Sequence, residues 1–187
     1  WIIEQPGVEE LIDQIEELRG TEKTERQKIK QVLYKAGKKQ TQNNGMLAVY
    51  EPENYDYYIY KEDLTGIQKN PKEPKDGEMY VSPSFITMYG VDIGDSVEIQ
   101  IAGEEKQMRF TIRGFFEDPF AGSSMMGVKT MLINKASMEE LEQNALMAGD
   151  ASTVADAEML HIFQKKDSGQ KTKEFIKELN ENTDLKN

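Results

Sequence analysis

The 187-residue sequence contains no cysteine and one histidine, His161. Without cysteine there is no disulfide framework, thiolate metal site, iron–sulfur cluster or cysteine nucleophile. With one histidine, a Ser-His-Asp triad or a multi-histidine zinc site would have to be built around His161 alone. Positive charge is also scarce: 23 Lys and Arg face 34 Asp and Glu, a formal net charge of −11. A phosphate backbone is held by a basic surface, so this balance argues against a nucleic-acid partner. No apolar run approaches the roughly 20 residues that span a bilayer. The sequence opens on Trp1, and no basic, apolar, small-residue leader follows. It is therefore expected to be a piece excised from a longer protein. What is present is enough hydrophobic character, 37% of residues, for a packed core at this length.

Periodicity places the elements. Val8, Leu11, Ile12, Ile15 and Leu18 recur at helical spacing after Pro6-Gly7. Thr24 and Gln27 form a capping-box pattern, which predicts a second helix with the stripe Ile29, Val32, Leu33 and Ala36. Residues 40–45 read as a loop. Met46 to Tyr50 and Tyr57 to Tyr60 read as short strands, and the Lys- and Pro-containing segment 69–77 as an irregular connection. Glu78 to Val81 predicts a strand. Ser82-Pro83 then opens a short helix that Gly90 closes. Val97, Ile99 and Ile101 alternate with polar residues, as do Met108, Phe110 and Ile112 after a turn at 102–105. Val128 to Ile133 predicts another strand. Ser137 and Glu140 suggest a capping box before a helix through Leu146, followed by a loop at 149–153. Met159 to Phe163 reads as a strand, and Phe175, Ile176 and Leu179 as the stripe of a last helix. Helices near both ends with a mixed sheet and hairpins between them give an α+β fold class.

Motifs for chemistry are missing. No phosphate-binding loop, dinucleotide fingerprint or calcium loop occurs. Residues 122–127 lack the spacing of a nucleophile elbow. Ser168 and Lys171 satisfy S-x-x-K without the companion motifs of serine–lysine hydrolases, so a hydrolase using Ser124 or Ser168 is the least supported reading. His161, within Met159-Leu160-His161-Ile162-Phe163, reads as a strand histidine bonded to backbone or facing water. Glu9, Glu10, Asp13, Glu16 and Glu17 read as a solvated helix face. No catalytic, metal or cofactor site is assigned. Two features suggest interaction instead. One is the segment from Phe115 to Gly127, with bulky apolar residues among small ones; the other is the cluster Tyr50, Tyr55, Tyr57, Tyr58 and Tyr60. The candidate partner-binding residues are Phe116, Phe120, Met125, Met126, Tyr57 and Tyr58.

The central segment carries a family resemblance. Gly77-Glu78-Met79-Tyr80-Val81 runs into Ser82-Pro83-Ser84-Phe85 and a helix ending Met88-Tyr89-Gly90-Val91. Ile93-Gly94-Asp95-Ser96-Val97-Glu98-Ile99 follows, then Met108-Arg109-Phe110-Thr111-Ile112-Arg113-Gly114-Phe115-Phe116-Glu117-Asp118. This order resembles the extracytoplasmic domain of FtsX-like, or MacB-type, ABC transporter permeases. The resemblance implies a MacB-type periplasmic core: one extracytoplasmic domain over residues 1–187, with a small β-rich subdomain around 77–134. It implies a non-enzymatic domain that needs no cofactor and sits on the outer face of the cell membrane. Its partners would be the transmembrane helices of the same permease and, indirectly, a cytoplasmic ATPase. A peptide, a lipoprotein or a cell-wall-associated protein would be its substrate or regulated partner. The segment between Tyr50 and Asp76 has no counterpart in that pattern. The alternative is a free-standing secreted or surface protein-binding module.

Overall fold

The computed structural model describes residues 2–3, 7–38, 41–54, 57–101, 106–117, 129–147 and 157–184. Their elements, in chain order, are β1 (Ile2–Ile3), α1 (Val8–Glu16), β2 (Thr21–Ala36), β3 (Asn43–Val49), β4 (Tyr58–Ile59), β5 (Glu78–Val81) and α2 (Ser84–Tyr89). β6 (Ser96–Ile101), β7 (Gln107–Glu117), β8 (Lys129–Ile133), α3 (Lys135–Met147), β9 (Ala157–Gln164) and α4 (Thr172–Asn182) follow. The α+β class expected from the sequence is the observed one. The chain divides into two units, one of residues 1–28 with 155–187 and one of residues 29–154. The segment 77–134 lies inside the second.

In the first unit, Gly7 supplies the left-handed N-cap of α1 at φ 103°, and Glu9 and Glu10 sit in its first turn, where the helix dipole favours acid. Ile15 packs with Phe175 and Leu179 of α4, and Leu11, Leu18, Leu160 and Ile162 surround them. Gly20 permits this closeness: a Cβ there would lie 2.6 Å from the Phe175 ring. The Thr21 hydroxyl donates to the Ile15 carbonyl at 2.7 Å, tying α1 to the start of β2. β9 carries β1 antiparallel on one edge. The acidic face of α1 is partly paired, Glu9 with Arg26 at 2.7 Å and Glu16 with the Thr24 hydroxyl.

The second helix expected from Thr24 does not exist. Residues 21–36 form one long strand instead. Val32, Tyr34 and Ala36 alternate inward at period two, and the β-branched Val32 and aromatic Tyr34 suit a pleated surface. β3 likewise starts at Asn43, inside the expected loop.

The core of the second unit is a closed six-stranded barrel. β2 pairs β3, β3 pairs β8, β8 pairs β5, β5 pairs β7, β7 pairs β6, and β6 returns to β2. The β3–β8 and β5–β7 pairs are parallel and the others antiparallel. Alternate residues fill the interior: Leu47 and Val49, Met79 and Val81, Val97, Ile99 and Ile101, Phe110 and Ile112, Met131 and Ile133. On β7 the register slips by one residue, because Met79 faces Ile112 while Tyr80 faces Gly114. The extra residue, Arg113, moves the inward position from even numbers to Phe115. Gly114 leaves room for the Tyr80 ring, which a Cβ would meet at 3.1 Å.

Two helices complete this core. Phe85 of α2 enters it, and Gly90 ends α2 in the left-handed conformation at φ 67°, as the sequence predicts. α2 starts at Ser84, one residue after Pro83, and the Ser82 hydroxyl accepts from the Ser84 N–H at 3.3 Å. α3 contributes Met138 and Leu141. The expected Ser137 cap is corrected: Ser137 lies within α3, and Asn134 caps it, accepting from the Ser137 N–H at 2.9 Å. Asn134 also donates to Asp76 at 2.7 Å, and the Ser137 hydroxyl accepts from the Gly77 N–H at 3.1 Å. Replacing Asn134 by alanine removes the cap, takes from the buried Ser137 N–H this acceptor and frees Asp76 to water. We expect a loss of about 1–2 kcal/mol in urea unfolding.

Candidate partner-binding surface

The outward-pointing residues of β3 and β5 are not all exposed. Tyr50 follows β3 and is buried, and Tyr80 lies between the inward Met79 and Val81 and is buried too. Their rings meet at 5.9 Å. Tyr57 stacks on Tyr50 at 5.3 Å and meets Phe116 edge-on at 6.3 Å. Together they make an aromatic layer on the outside of the barrel. The Tyr80 hydroxyl donates to the Lys72 carbonyl at 2.7 Å, and the Tyr57 hydroxyl to the Val49 carbonyl at 3.3 Å. Burial pushes the Tyr50 hydroxyl up to about 12 and also raises Tyr80, so both stay neutral at physiological pH.

Against this layer lies a hairpin. Tyr58 and Ile59 of β4 pair with Glu117 and Phe116 of β7. The chain then turns back, with Tyr60 opposite Ile67. Backbone bonds run from the Tyr60 N–H to the Phe115 carbonyl at 2.8 Å and from the Gln68 N–H to the Ile59 carbonyl at 2.7 Å. The Gln68 side chain donates to the Tyr60 carbonyl, and the Tyr60 hydroxyl to Glu117 at 2.5 Å. That bond to a carboxylate, followed by burial, raises the Tyr60 hydroxyl above its usual range. At the tip, Asp63 accepts from the Thr65 N–H at 3.0 Å and from its hydroxyl at 2.7 Å. These bonds, the backbone one first, hold the Asp63 carboxyl below its usual range.

Alternation sorts the hairpin residues. Ile59 is fully buried, as is its partner Phe116. Tyr58, Tyr60 and Ile67 alternate with Ile59, and of these Tyr60 is half-buried and packs against the barrel core. Tyr58 is 47% exposed, Leu64 39% and Ile67 40%. Leu64 sits at φ 58°, and no other described residue but glycine has a positive φ. For leucine that conformation costs about 1 kcal/mol.

The residues expected to bind a partner separate accordingly. Tyr58 is exposed, and Tyr57 is half-buried in the aromatic layer. Phe116 is buried against Tyr57 and Ile59's strand position; it is a packing residue, because β7 is covered on both faces at this level. Tyr55, Phe120, Met125 and Met126 lie outside the described residues. Sequence reasoning missed Leu64 and Ile67. The only signal for them was an isolated apolar residue on each side of Thr65-Gly66 in a charged stretch.

The remaining candidates are occupied locally. His161 is buried, and its Nε2 lies 3.0 Å from Gln27 Oε1, so a side chain rather than backbone or water is a partner of this ring nitrogen. The Ser168 hydroxyl donates to the Lys165 carbonyl at 2.9 Å and accepts from the Gln170 N–H at 3.3 Å. Among the described residues, no group of three His, Asp or Glu side chains converges as a metal site would require.

No protein-family model matches this sequence, and no curated protein matches it. Solved structures do. The chain is similar to a domain of a protein classed as a permease from Porphyromonas gingivalis, with a TM-score of 0.42 and 14% identity over 91% of this chain and 74% of that one. It is also similar to the extracellular domain of the noncanonic ABC-type transporter YknZ from Gram-positive bacteria, with a TM-score of 0.41 and 12% identity over 95% of this chain and 86% of that one.

Proposed function

We propose that this chain is a non-catalytic extracytoplasmic domain of an ABC transporter permease. It couples ATP hydrolysis inside the cell to substrate export or partner regulation outside, by a change of conformation passed through the permease's own transmembrane helices. What carries the reading is the segment 77–117, on which the family resemblance rests. It holds, in order, β5, a short helix closed by Gly90, a Gly94-Asp95 turn and the antiparallel β6–β7 pair, and this order supports the reading. Gly94 adopts φ 91°, Asp95 accepts from the Asp92 N–H at 2.8 Å, and the Gly94 N–H donates to the Ile112 carbonyl at 2.9 Å. These roles are structural, which suits a domain that works by binding and moving. No helix among the described residues is long and apolar enough to cross a membrane.

The test uses the missing cysteine. Met88 is 50% exposed, and a Met88→Cys substitution places the sole thiol of these 187 residues on the surface. In the full-length protein, a membrane-impermeant maleimide should label that thiol in intact cells, with the unsubstituted protein as control, and the product should sediment with membranes. Labelling only after lysis overturns the extracytoplasmic placement. Labelled protein released into the medium favours the free-standing binding module.

A further inference from the structure

We infer that α3 is a lid on one end of the barrel, latched by the Lys30–Glu142 ion pair and able to lift while the barrel stays folded. Its polar contacts mark the strands it crosses. The Ser137 hydroxyl meets Gly77, the residue before β5. The Asn144 amide donates to the Met108 Sδ of β7 at 3.4 Å, and Glu142 lies 3.4 Å from the Lys30 ammonium of β2. β2 and β5 stand opposite each other in the ring, with β3 and β8 between them on one side and β6 and β7 on the other. A helix that reaches both, and β7 as well, lies across the open end.

The face that α3 turns to the barrel mixes apolar and polar groups. Ser137, Met138, Leu141 and Glu142 share one helical stripe, while Lys135, Glu139, Glu140 and Gln143 are exposed. The stripe of a helix fixed on a core is ordinarily apolar. Here Met138 and Leu141 supply the apolar grip, and Ser137 and Glu142 flank them. The Lys30 side chain is only 7% exposed. A buried ion pair adds little stability over an apolar contact of the same shape, because both charges give up water to form it. Both regain water when the helix lifts. The pair thus fixes where α3 sits and keeps the cost of leaving low, as suits an element that opens below the free energy of global unfolding. A single residue, Asn134, joins β8 to α3 and is bonded to Asp76. The helix therefore pivots at Asn134, and Glu142 holds the end that swings. This inference does not depend on the proposed function.

The test reads the lid through a thiol, which the 187 residues otherwise lack. Met138→Cys places it beneath α3; Val97→Cys, in a separate variant, places it on a barrel strand, facing the core. With excess maleimide, the thiol at 138 should react more than about tenfold faster than the one at 97. Its rate should rise little with urea, whereas labelling at 97 should rise steeply, following global unfolding. Adding Lys30→Met to the Met138→Cys chain removes the latch and should speed labelling about tenfold. Adding Glu142→Leu as well replaces the pair by an apolar contact and should slow labelling again. Equal rates with equal urea dependence at the two thiols overturn the inference, as does a rate unmoved by Lys30→Met. Hydrogen exchange of the unsubstituted chain needs no variant. A lifted helix of 13 residues is marginal in water, so its amides should exchange ahead of those of β3 and β8. Exchange in step with those strands also overturns the inference. None of these outcomes bears on the labelling of Met88→Cys in cells, so the two readings fail separately.

Discussion

Replacing Phe85 by alanine is expected to destabilise the barrel unit by about 4 kcal/mol. Phe85 is fully buried, stacks on Tyr34 at 5.3 Å and meets Tyr89 edge-on at 5.1 Å. Tyr34 and Tyr89 share a hydroxyl–hydroxyl bond of 2.7 Å. The substitution therefore removes the ring on which two others rest. It also releases α2, whose six residues are too few to hold a helix without tertiary contacts. Urea unfolding followed by near-ultraviolet circular dichroism of the tyrosines would show a lower midpoint at an unchanged slope. Phe85→Leu, which keeps most of the volume, should cost under about 2 kcal/mol. A loss below about 1 kcal/mol for the alanine variant would mean that Phe85 does not anchor α2.

The second large effect is expected at Gly37. Alanine there meets two obstacles. The backbone sits at φ 66°, which costs a non-glycine residue about 1 kcal/mol. The new Cβ would also lie 2.1 Å from the Tyr89 carbonyl oxygen, a backbone atom with no rotamer to change. The end of α2 must then shift away from β2, and the total loss should be about 3 kcal/mol. Gly90→Ala separates the two terms. Gly90 has nearly the same φ, 67°, but no atom lies within 4 Å of where an alanine Cβ would stand, so only the conformational cost of about 1 kcal/mol applies. Equal losses at both positions would refute the contact. Because Phe85 and Gly37 act on the same short helix and both touch Tyr89, the double variant should lose less than the sum of the two.

The centre of the chain was legible because its punctuation is unambiguous. Gly90 and Gly94 can adopt positive φ without strain, and Val97, Ile99 and Ile101 keep strict alternation, so β5, α2, β6 and β7 lie close to where the sequence puts them. β2 was not legible for a physical reason. Ile29 and Lys30 are both buried although the β2–β3 register is unbroken, so burial moves from one face of the strand, at Gln27 and Ile29, to the other, at Lys30, Val32, Tyr34 and Ala36. That shift breaks the period-two signal and leaves a spacing that imitates a helical stripe. Lys30 adds to the disguise: it reads as surface, yet its ammonium is buried 3.4 Å from Glu142 of α3. Phe115 and Phe116 posed the reverse problem. Two adjacent bulky residues suggest a surplus for contact, but β7 is covered on both faces and a bulge turns Phe115 inward. For the hairpin, the tyrosine cluster marked a strand, and Tyr58–Ile59 forms one. The exposure of Leu64 and Ile67 depends on which side β4 turns toward the barrel, and two paired residues give no periodicity from which to read it.

The order in which the barrel strands pair bears on how the chain acquires its shape. β2 finds β3 after a short connection, but its other neighbour, β6, begins at Ser96. β8, which separates β3 from β5, begins only at Lys129. Closure thus joins segments distant in the chain, two of them in parallel, and each joining loses loop entropy before any contact repays it. Folding should occupy roughly milliseconds to seconds, as for other β-rich domains of non-local topology. During synthesis, the β6-facing edge of β2 stays open until Ile101 has emerged, and the ring stays incomplete until Ile133 has followed.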